Sequence, residues 1–310
     1  MGEENEMVND MNQPKCRFCD ADQSFQKIKG DFVYGGREEQ HFWQCEKCQM
    51  IYLNPPMTEE EEDKFYKQEF EKFMLNRAGD DKDWSGPEKH FASNQGEVAR
   101  RLPQLMPFVK EGVRVLEIGC SSGFMLSALK DKGCDVCGVD PSGVFVDYVR
   151  SKDIPVYDSC NDVAKQEDPF DLIIHYYVLE HVRYPVKFLQ IQMGLLKDGG
   201  IMVFEVPCAS DPLVELYAIP AFDKFYWSAA HHWYFNKESL SRVLEKIGVA
   251  FDLYPQQRYD LSNHMVWMLQ GKPGGAGKYS QVFGEELDNA YKEQLKRKWL
   301  CDTIIAVLKK

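Results

Sequence analysis

The chain has 310 residues, and its 37 Lys and Arg against 49 Asp and Glu give a formal net charge of −12. Its 44% hydrophobic, 13% aromatic and 28% charged residues are typical of a globular protein and exclude a fibrous or disordered chain. The acidic balance argues against a nucleic-acid partner. Without a signal-peptide pattern or a run of about 18 apolar residues, we expect a cytoplasmic protein with no membrane association, with residues 1–13 as a disordered acidic tail.

Ten cysteines are present, and four of them form two C-x-x-C pairs. Cys16 and Cys19 make the first pair, and Cys45 and Cys48 make the second. Two such pairs are typical of one tetrahedral zinc site. Because four thiolates leave no open coordination position, we predict a structural Zn²⁺ around which residues 14–56 fold as a zinc ribbon.

The segments between the cysteine pairs indicate how this ribbon folds. Residues 31–36 (DFVYGG) and 40–45 (QHFWQC) contain β-forming side chains around a glycine turn, which predicts two short strands. Because the ribbon carries little positive charge, we expect it to cover a substrate or to bind a partner rather than nucleic acid.

Residues 57–110 are predicted to form a helical connector and lid. Aromatic side chains recur at helical spacing in the first half of this segment, and the acidic residues before them suit a helix N-terminus. A loop is expected at residues 79–87. The rest of the segment is interpreted as helices broken at Pro103 and Pro107.

From residue 113 strand and helix patterns alternate, which predicts a mostly parallel sheet wrapped by helices. The first strand, residues 113–118, runs into a loop that begins at Gly119 and ends at Gly123. These glycines allow the backbone to approach a ligand closely. The second strand ends on Asp140, which is placed to accept hydrogen bonds from ribose hydroxyl groups.

The sequence of the glycine loop also argues against two classes of ligand, dinucleotides and nucleoside triphosphates. A dinucleotide-binding loop has the pattern G-x-G-x-x-G, but Ser121 and Phe124 occupy two of those glycine positions. The loop also lacks the lysine of a triphosphate-binding loop. The sequence therefore favours a nucleoside with a compact zwitterionic tail.

Four segments carry a resemblance to a known family. VLEIGCSSG, GVDPS, FDLIIHYYVLEHV and LLKDGGIMVFEVP resemble, in order and spacing, the motifs of class I S-adenosylmethionine-dependent methyltransferases. The resemblance covers about residues 111–310 and implies an α/β fold with a seven-stranded, mostly parallel Rossmann-like sheet. We interpret residues 264–269 as its sixth strand and 303–308 as its seventh, joined by a helix over 284–298 and forming the antiparallel edge of the sheet.

The resemblance implies S-adenosyl-L-methionine as cofactor and a set of residues around it. His181, which follows the fourth strand, is expected to have a structural role. The implied cofactor contacts are Glu117, Gly119, Cys120 and Gly123 at the methionine end, Asp140 at the ribose, Asn161 and Asp162 at the adenine edge, and His175 and Tyr176 beside the sulfonium.

An insertion over residues 207–238, rich in aromatic residues and histidine, is expected above the ligand end of the sheet. Its segment FDKFYWSAAHHWYF, together with a zinc ribbon, is similar to nucleotide-sugar C-methyltransferases, in which FD-x-I-Y-H-E-H-x-x-Y-F supplies a base. His231 matches the final His of that pattern and Tyr226 its Tyr, whereas Ala230 replaces its Glu. The segment also resembles sugar O-methyltransferases with a His-Trp-x-Phe motif, so carbon and oxygen acceptors both remain open.

The sequence therefore predicts methyl transfer by in-line displacement to a small-molecule acceptor, a (nucleotide-)sugar or sugar conjugate. His231 or His232 is the candidate base because histidine titrates near neutral pH, and Tyr226 is a further catalytic candidate. The alternatives are a protein or nucleic-acid methyltransferase, a catalytically silent cofactor-binding subunit, and a histidine pair that only caps and packs the following helix.

Overall fold

The computed structural model of the chain describes residues 13–78, 86–141 and 143–310. Nearly all of the predicted acidic tail, residues 1–12, and most of the predicted loop, residues 79–85, lie outside the described residues. Among the described helices, none combines the length and the apolar character that a bilayer crossing requires.

The described strands range in length from two to twelve residues. They are β1 (Gln26–Gly30), β2 (His41–Cys45), β3 (Ile51–Asn54), β4 (Arg114–Ile118), β5 (Asp135–Val139), β6 (Val156–Tyr157), β7 (Phe170–Tyr176), β8 (Leu196–Pro207), β9 (Trp233–Tyr234), β10 (Ala250–Gln256) and β11 (Thr303–Lys309).

Helices occupy the connector and alternate with the later strands. They are α1 (Glu59–Lys64), α2 (Phe70–Ala78), α3 (Pro87–Ser93), α4 (Gln95–Leu105), α5 (Phe124–Lys130), α6 (Gly143–Arg150), α7 (Cys160–Gln166), α8 (Pro185–Leu195), α9 (Pro212–Glu215), α10 (Pro220–Tyr226), α11 (Lys237–Glu245), α12 (Leu261–Gln270) and α13 (Ser280–Arg297).

A seven-stranded sheet forms the larger part of the molecule, with strand order β10-β11-β8-β7-β4-β5-β6. Strand β11 pairs antiparallel with both β10 and β8, and the other pairs are parallel. Alternate side chains of the central strands enter two separate hydrophobic clusters, one on each face, because side chains of a strand point alternately to opposite faces. This architecture confirms the predicted seven-stranded, mostly parallel Rossmann-like sheet.

The predicted sixth strand at residues 264–269 is wrong, because this segment lies within helix α12. Asp260 caps the start of the helix by accepting a hydrogen bond from the Asn263 amide, and Gly271 ends it in the left-handed conformation. The sixth strand is instead β10, whose residues are all half-buried or exposed, as suits the edge of a sheet. The predicted strand at 303–308 is confirmed within β11.

The connector helices differ from the prediction at one proline. Helix α4 passes through Pro103 and ends at Leu105, so the predicted break at Pro103 is wrong. Pro103 has no N–H to donate to the Ala99 carbonyl, so the helix runs on to its end without that one backbone bond. Helix α4 packs on α5, and α3 packs on α6.

A second, four-stranded sheet joins distant parts of the chain in the order β1-β2-β3-β9. Strand β9 belongs to the insertion and pairs antiparallel with β3, so that Ile51 faces Tyr234 and Tyr52 faces Trp233. The expected strand at residues 31–36 is wrong, since the first ribbon strand is β1 and this segment forms only an isolated bridge at Tyr34. The strand expected at residues 40–45 is confirmed as β2.

Backbone hydrogen bonds extend this junction beyond the strands. The Leu53 amide donates to the His232 carbonyl at 3.0 Å, and the Tyr34 amide donates to the Trp227 carbonyl at 2.7 Å. The Trp227 side chain is fully buried and packs on Phe42 with ring centroids 5.4 Å apart. The ribbon and the insertion therefore share a sheet and a hydrophobic core.

Replacing Gly30 by valine tests this shared core. A Cβ atom at Gly30 would lie 2.6 Å from the Trp227 ring, and this ring is held by a 2.8 Å hydrogen bond from its Nε1 to Asp223. We expect Gly30→Val to lower the free energy of unfolding by about 1–3 kcal/mol, measured by urea denaturation. Gly194→Ala, in α8 with no atom within 4 Å of the new Cβ, is the control and should be neutral or stabilising. Equal midpoints for Gly30→Val and the wild type would contradict the expectation.

Candidate functional site

A tight loop at the carboxyl end of β4 forms the centre of the candidate cofactor site. Gly119, Ser121 and Gly123 all have positive φ, at 71°, 48° and 71°. A Cβ atom at Gly119 would lie 2.6 Å from the Val178 side chain, so this position requires glycine for both conformation and space. The loop therefore exposes backbone where open α/β sheets bind their ligands.

Asp140 stands directly after β5, at the same edge of the sheet. Its side chain is buried, and its Oδ2 atom accepts a 2.7 Å hydrogen bond from the Ser121 amide. The carboxylate thus ties the second strand to the glycine loop. This position is compatible with the expected contact to ribose, which stays a prediction.

Glu117 and Tyr176 lie on the same face of the sheet as an arginine that the sequence analysis did not single out. Burial raises the pKa of Glu117 to about 8, while the charge of Arg101 acts in the opposite direction. The Arg101 guanidinium lies 4.0 Å from the Tyr176 ring centroid, and its buried Nε makes no hydrogen bond to a described residue. Arg101 comes from α4, and no sequence motif distinguishes it from the adjacent Arg100.

His175 does not border the cofactor site, which corrects the sequence-based expectation. It points to the opposite face of β7 from Tyr176, is fully buried, and stacks on Phe204 with ring centroids 4.6 Å apart. Burial lowers its pKa to about 3. Because successive side chains of a strand alternate between faces, only one of these two neighbours can face the ligand.

For the other three predicted cofactor residues, the structure gives less direct information about a cofactor contact. The Cys120 side chain is buried against Gly138, so only its backbone faces the edge of the sheet. Asn161 and Asp162 lie in the first turn of α7, where the Asp162 carboxylate accepts hydrogen bonds from Ser159 at 2.6 Å and from Lys165 at 3.2 Å. Nothing in this arrangement tests the predicted adenine contact.

Beyond the end of β7, three side chains from two distant segments of the chain meet. Glu180 and His181 follow the strand, and His231 comes from the insertion. The oxygen and nitrogen atoms that these three residues could offer to a metal ion lie within 4.8 Å of one another. We call this group the acceptor cluster.

The hydrogen bonds of His181 fix its orientation within the acceptor cluster. Its Nδ1 lies 2.8 Å from the Ala230 carbonyl oxygen, which also accepts a 3.0 Å hydrogen bond from the Tyr66 hydroxyl. Nδ1 therefore carries the proton, and Nε2 is the unprotonated ring nitrogen. Burial lowers the pKa of His181 to about 4, and it lowers the pKa of His231 well below the usual range.

Glu180 is the most unusual member of the acceptor cluster. Its side chain is fully buried, and neither carboxyl oxygen has a hydrogen-bond partner among the described residues. Burial raises its pKa to about 8. Sequence reasoning missed this residue and assigned His181 a structural role, although both lie in the segment VLEHV that directly follows the fourth strand.

The other two catalytic candidates have different surroundings. His232 is buried, and its Nε2 is in hydrogen-bonding contact with Glu62, which also forms an ion pair with Arg183 at 3.0 Å. The Tyr226 hydroxyl donates its proton to the Cys208 carbonyl at 2.6 Å. The Tyr226 hydroxyl is therefore engaged by the backbone, and the catalytic roles of Tyr226, His231 and His232 stay predictions.

The four ribbon cysteines converge as the two C-x-x-C pairs predict. The Sγ atoms of Cys16 and Cys48 are 3.6 Å apart, and those of Cys19 and Cys45 are 3.8 Å apart. Four thiolates around one zinc, with bonds of about 2.3 Å, place their sulfur atoms about 3.8 Å apart. The Gln26 side chain also lies 3.7 Å from the Cys45 sulfur, so the donor set and its surroundings fit a structural zinc ion.

Substitution of one ligand tests the metal assignment. We expect the purified wild type to contain one zinc ion per chain at the ribbon, and Cys45→Ser to lose it and to melt at a lower temperature, because a serine hydroxyl is a poor zinc ligand. Metal analysis by mass spectrometry and thermal melting provide the measurements. Cys160→Ser, at a half-buried cysteine outside the ribbon, is the control. A Cys45→Ser protein with unchanged zinc content would refute the assignment.

Comparisons with known proteins agree with this geometry. The sequence model of a family described as a methyltransferase domain matches residues 90–252. The ubiquinone biosynthesis O-methyltransferase of Cereibacter sphaeroides is 31% identical over 121 residues, which cover 34% of this chain and 45% of that protein. The protein of the same name from Roseobacter denitrificans is 30% identical over 122 residues, covering 35% and 46%. The chain thus spans about half the length of the curated relatives it matches.

A solved structure supports the fold. The S-adenosylmethionine-dependent methyltransferase from Archaeoglobus fulgidus superposes with a TM-score of 0.50 and 21% identity, covering 72% of this chain and 97% of that protein. The family match spans more than half of the chain, and it includes the glycine loop, Asp140 and the acceptor-side strand β9. The chain therefore belongs to the methyltransferase domain family.

Proposed function

We propose that this methyltransferase acts on a hydroxyl oxygen of a small polar molecule, a sugar or sugar conjugate. The acceptor cluster carries the proposal, because it places two imidazoles and a carboxyl group directly after β7, the strand that also presents Tyr176 on the cofactor side. A hydroxyl group bound there would lie between the cofactor loop and the insertion.

Several groups are proposed to hold the cofactor. The backbone of the loop over residues 119–123 and the Asp140 carboxylate suit the nucleoside, with Asp140 accepting from ribose. Arg101, whose Nε has no hydrogen bond to a described residue, suits the carboxylate of the methionine end, and Glu117 suits its amino group. S-adenosylmethionine supplies an electrophilic methyl group when bound.

The protein then has to align the acceptor and take up one proton. The acceptor oxygen forms a bond to the methyl carbon, the carbon–sulfur bond breaks, and S-adenosylhomocysteine is the second product. The buried Nδ1 of His231 has no hydrogen-bond partner among the described residues, so His231 can offer a ring nitrogen to the hydroxyl proton. The Nε2 atom of His181, which is unprotonated because Nδ1 donates to Ala230, is the neighbouring acceptor.

Two observations support oxygen over carbon as the acceptor atom. The two relatives described above, at 31% and 30% identity, are named as O-methyltransferases. In addition, Ala230 occupies the position of the Glu in the pattern of the nucleotide-sugar C-methyltransferases. The choice of a sugar rests on the resemblance of the insertion to sugar-modifying enzymes and on the polar character of the acceptor cluster.

We also propose that the ribbon holds a structural zinc ion. The four-thiolate donor set and the sulfur spacing support this, and the pairing of β3 with β9 gives the ion an indirect part in the site. By folding the ribbon, zinc would hold the strand against which the histidine segment of the insertion is ordered. The net charge of −12 argues against a nucleic-acid docking role for the ribbon.

Substitution of Asp140 tests the cofactor site. We expect Asp140→Asn to weaken S-adenosylhomocysteine binding more than about tenfold, because a charged acceptor for two ribose hydroxyl groups becomes a neutral one. Isothermal titration calorimetry provides the dissociation constants. Asp198→Asn is the control, since its exposed carboxylate lies near the start of β8, at the opposite end of the parallel strands from the glycine loop, and it should bind like the wild type. Unchanged binding by Asp140→Asn would remove Asp140 from the site.

Substitution of His231 tests the chemistry. With the sugar or nucleotide sugar that gives the fastest release of S-adenosylhomocysteine, we expect His231→Gln to lower kcat about 10²- to 10⁴-fold while cofactor affinity stays the same. His41→Gln, at a ribbon histidine that contacts Asp31, serves as the control with unchanged kcat. If no acceptor is methylated although the cofactor binds tightly, a silent cofactor-binding subunit becomes the better interpretation.

A further inference from the structure

We infer that Glu180, His181 and His231 bind one divalent transition-metal ion, separate from the zinc ion proposed for the ribbon. Its use in catalysis rests on the proposed function. The binding itself rests on the geometry of the three side chains, and it would place the ion at the acceptor end of the site.

The spacing of the donor atoms supports an ion between them. All three ligand atoms lie within 4.8 Å of one another, yet Glu180 makes no hydrogen bond with either histidine. Around an ion with bonds of about 2.1 Å, ligand atoms lie roughly 3.0–4.2 Å apart. The three ligand atoms are therefore close enough to share one ion after small side-chain movements.

The unpartnered polar atoms point to the same conclusion. Glu180 is fully buried with both oxygens unpartnered, and the buried Nδ1 of His231 also has no hydrogen-bond partner among the described residues. Buried polar atoms without partners are rare in folded proteins, and an ion or water is a common reason for them. One cation would satisfy the carboxylate and the imidazole together.

The hydrogen bonding of His181 matches that of a metal ligand. Histidines that bind metals usually donate their second ring N–H to a carbonyl or carboxylate, which orients the ring and fixes the tautomer. The Nδ1 atom of His181 donates to the Ala230 carbonyl at 2.8 Å, and this makes Nε2 the nitrogen that can bind the ion. His181 is also only half-buried, so the ion has a route from solvent.

The donor set indicates the class of metal. Two imidazoles and one carboxylate suit Zn²⁺, Mn²⁺ or Fe²⁺ and leave coordination positions open for a further ligand. The positive charge of Arg77 lowers the pKa of both imidazoles. The Arg77 guanidinium itself donates hydrogen bonds to the Phe225 and Tyr226 carbonyls at 3.2 and 3.1 Å. With the ion bound, the two imidazole nitrogens would be ligands rather than bases, and an acceptor hydroxyl in an open position would lose its proton to water more readily.

Manganese binding provides the test, because Mn²⁺ prefers these donors over the thiolates of the ribbon. The full chain, with its ribbon zinc in place, is titrated with Mn²⁺, and free Mn²⁺ is followed by electron paramagnetic resonance. We expect the wild type to bind one Mn²⁺ per chain, and both Glu180→Gln and His231→Gln to bind it more than about tenfold more weakly. His41→Gln should bind like the wild type.

Further measurements keep the result independent of folding and of activity. Ribbon zinc content and S-adenosylhomocysteine binding show whether each variant folds. If neither variant folds, the wild type is loaded with Co²⁺ instead. A second bound Co²⁺ without a thiolate charge-transfer band supports the inference, and one with that band overturns it. The inference is overturned if the wild type binds neither Mn²⁺ nor a second Zn²⁺, which is the result expected if water fills the cluster. It is also overturned if the Glu180 and His231 variants bind Mn²⁺ like the wild type. Metal binding without methyl transfer would remove only the proposed function, whereas full transfer without the second ion would remove only this inference.

Discussion

The pairing of strand β3 with strand β9 is the contact on which the acceptor side depends. Two residue pairs are in register, and the Leu53 amide adds a bond to the His232 carbonyl. On its other side, the His232 amide donates to the carbonyl of Glu180 at 2.8 Å. The two-histidine segment is thus held between the ribbon and the end of β7. Because a two-residue strand has little stability alone, its position follows from the elements on both sides.

Burial gives the same edge of the large sheet its chemical character. Glu117 and Glu180 both have pKa values raised to about 8, although they belong to different parts of the site, the cofactor loop and the acceptor cluster. Each lacks a complete set of hydrogen bonds within the described residues, whereas the buried carboxylate of Glu205 is fully paired with Arg100 at 2.9 and 2.8 Å. A carboxylate that supports the fold is satisfied by the protein, and one that awaits a ligand is not. This contrast separates the structural charges of the sheet from the groups that we assign to binding.

The sequence allowed correct prediction of features in which spacing carries the information. Two C-x-x-C pairs, the glycine loop and the acidic residue after the second strand are local patterns, and the structure brings each set together as expected. His175 was misplaced because alternation within a strand does not tell which of two neighbours faces the ligand. The segment 264–269 was misassigned because a short apolar run suits a strand or a helix equally well. The meeting of Glu180 and His181 with His231 is a contact between distant segments, which no local pattern encodes.

The ribbon is therefore better understood as part of the acceptor site than as a separate module. Its third strand supplies the template for β9, and its Tyr34 forms backbone bonds to the insertion at 2.7 and 3.0 Å. In the connector, Tyr66 donates to the same Ala230 carbonyl that orients His181. Three segments that are far apart in the sequence thus set the position of one imidazole. A ribbon that folds only around a metal ion would make this position depend on zinc. In the proposed function, the large sheet would bind the cofactor while the smaller sheet would define where the acceptor can lie.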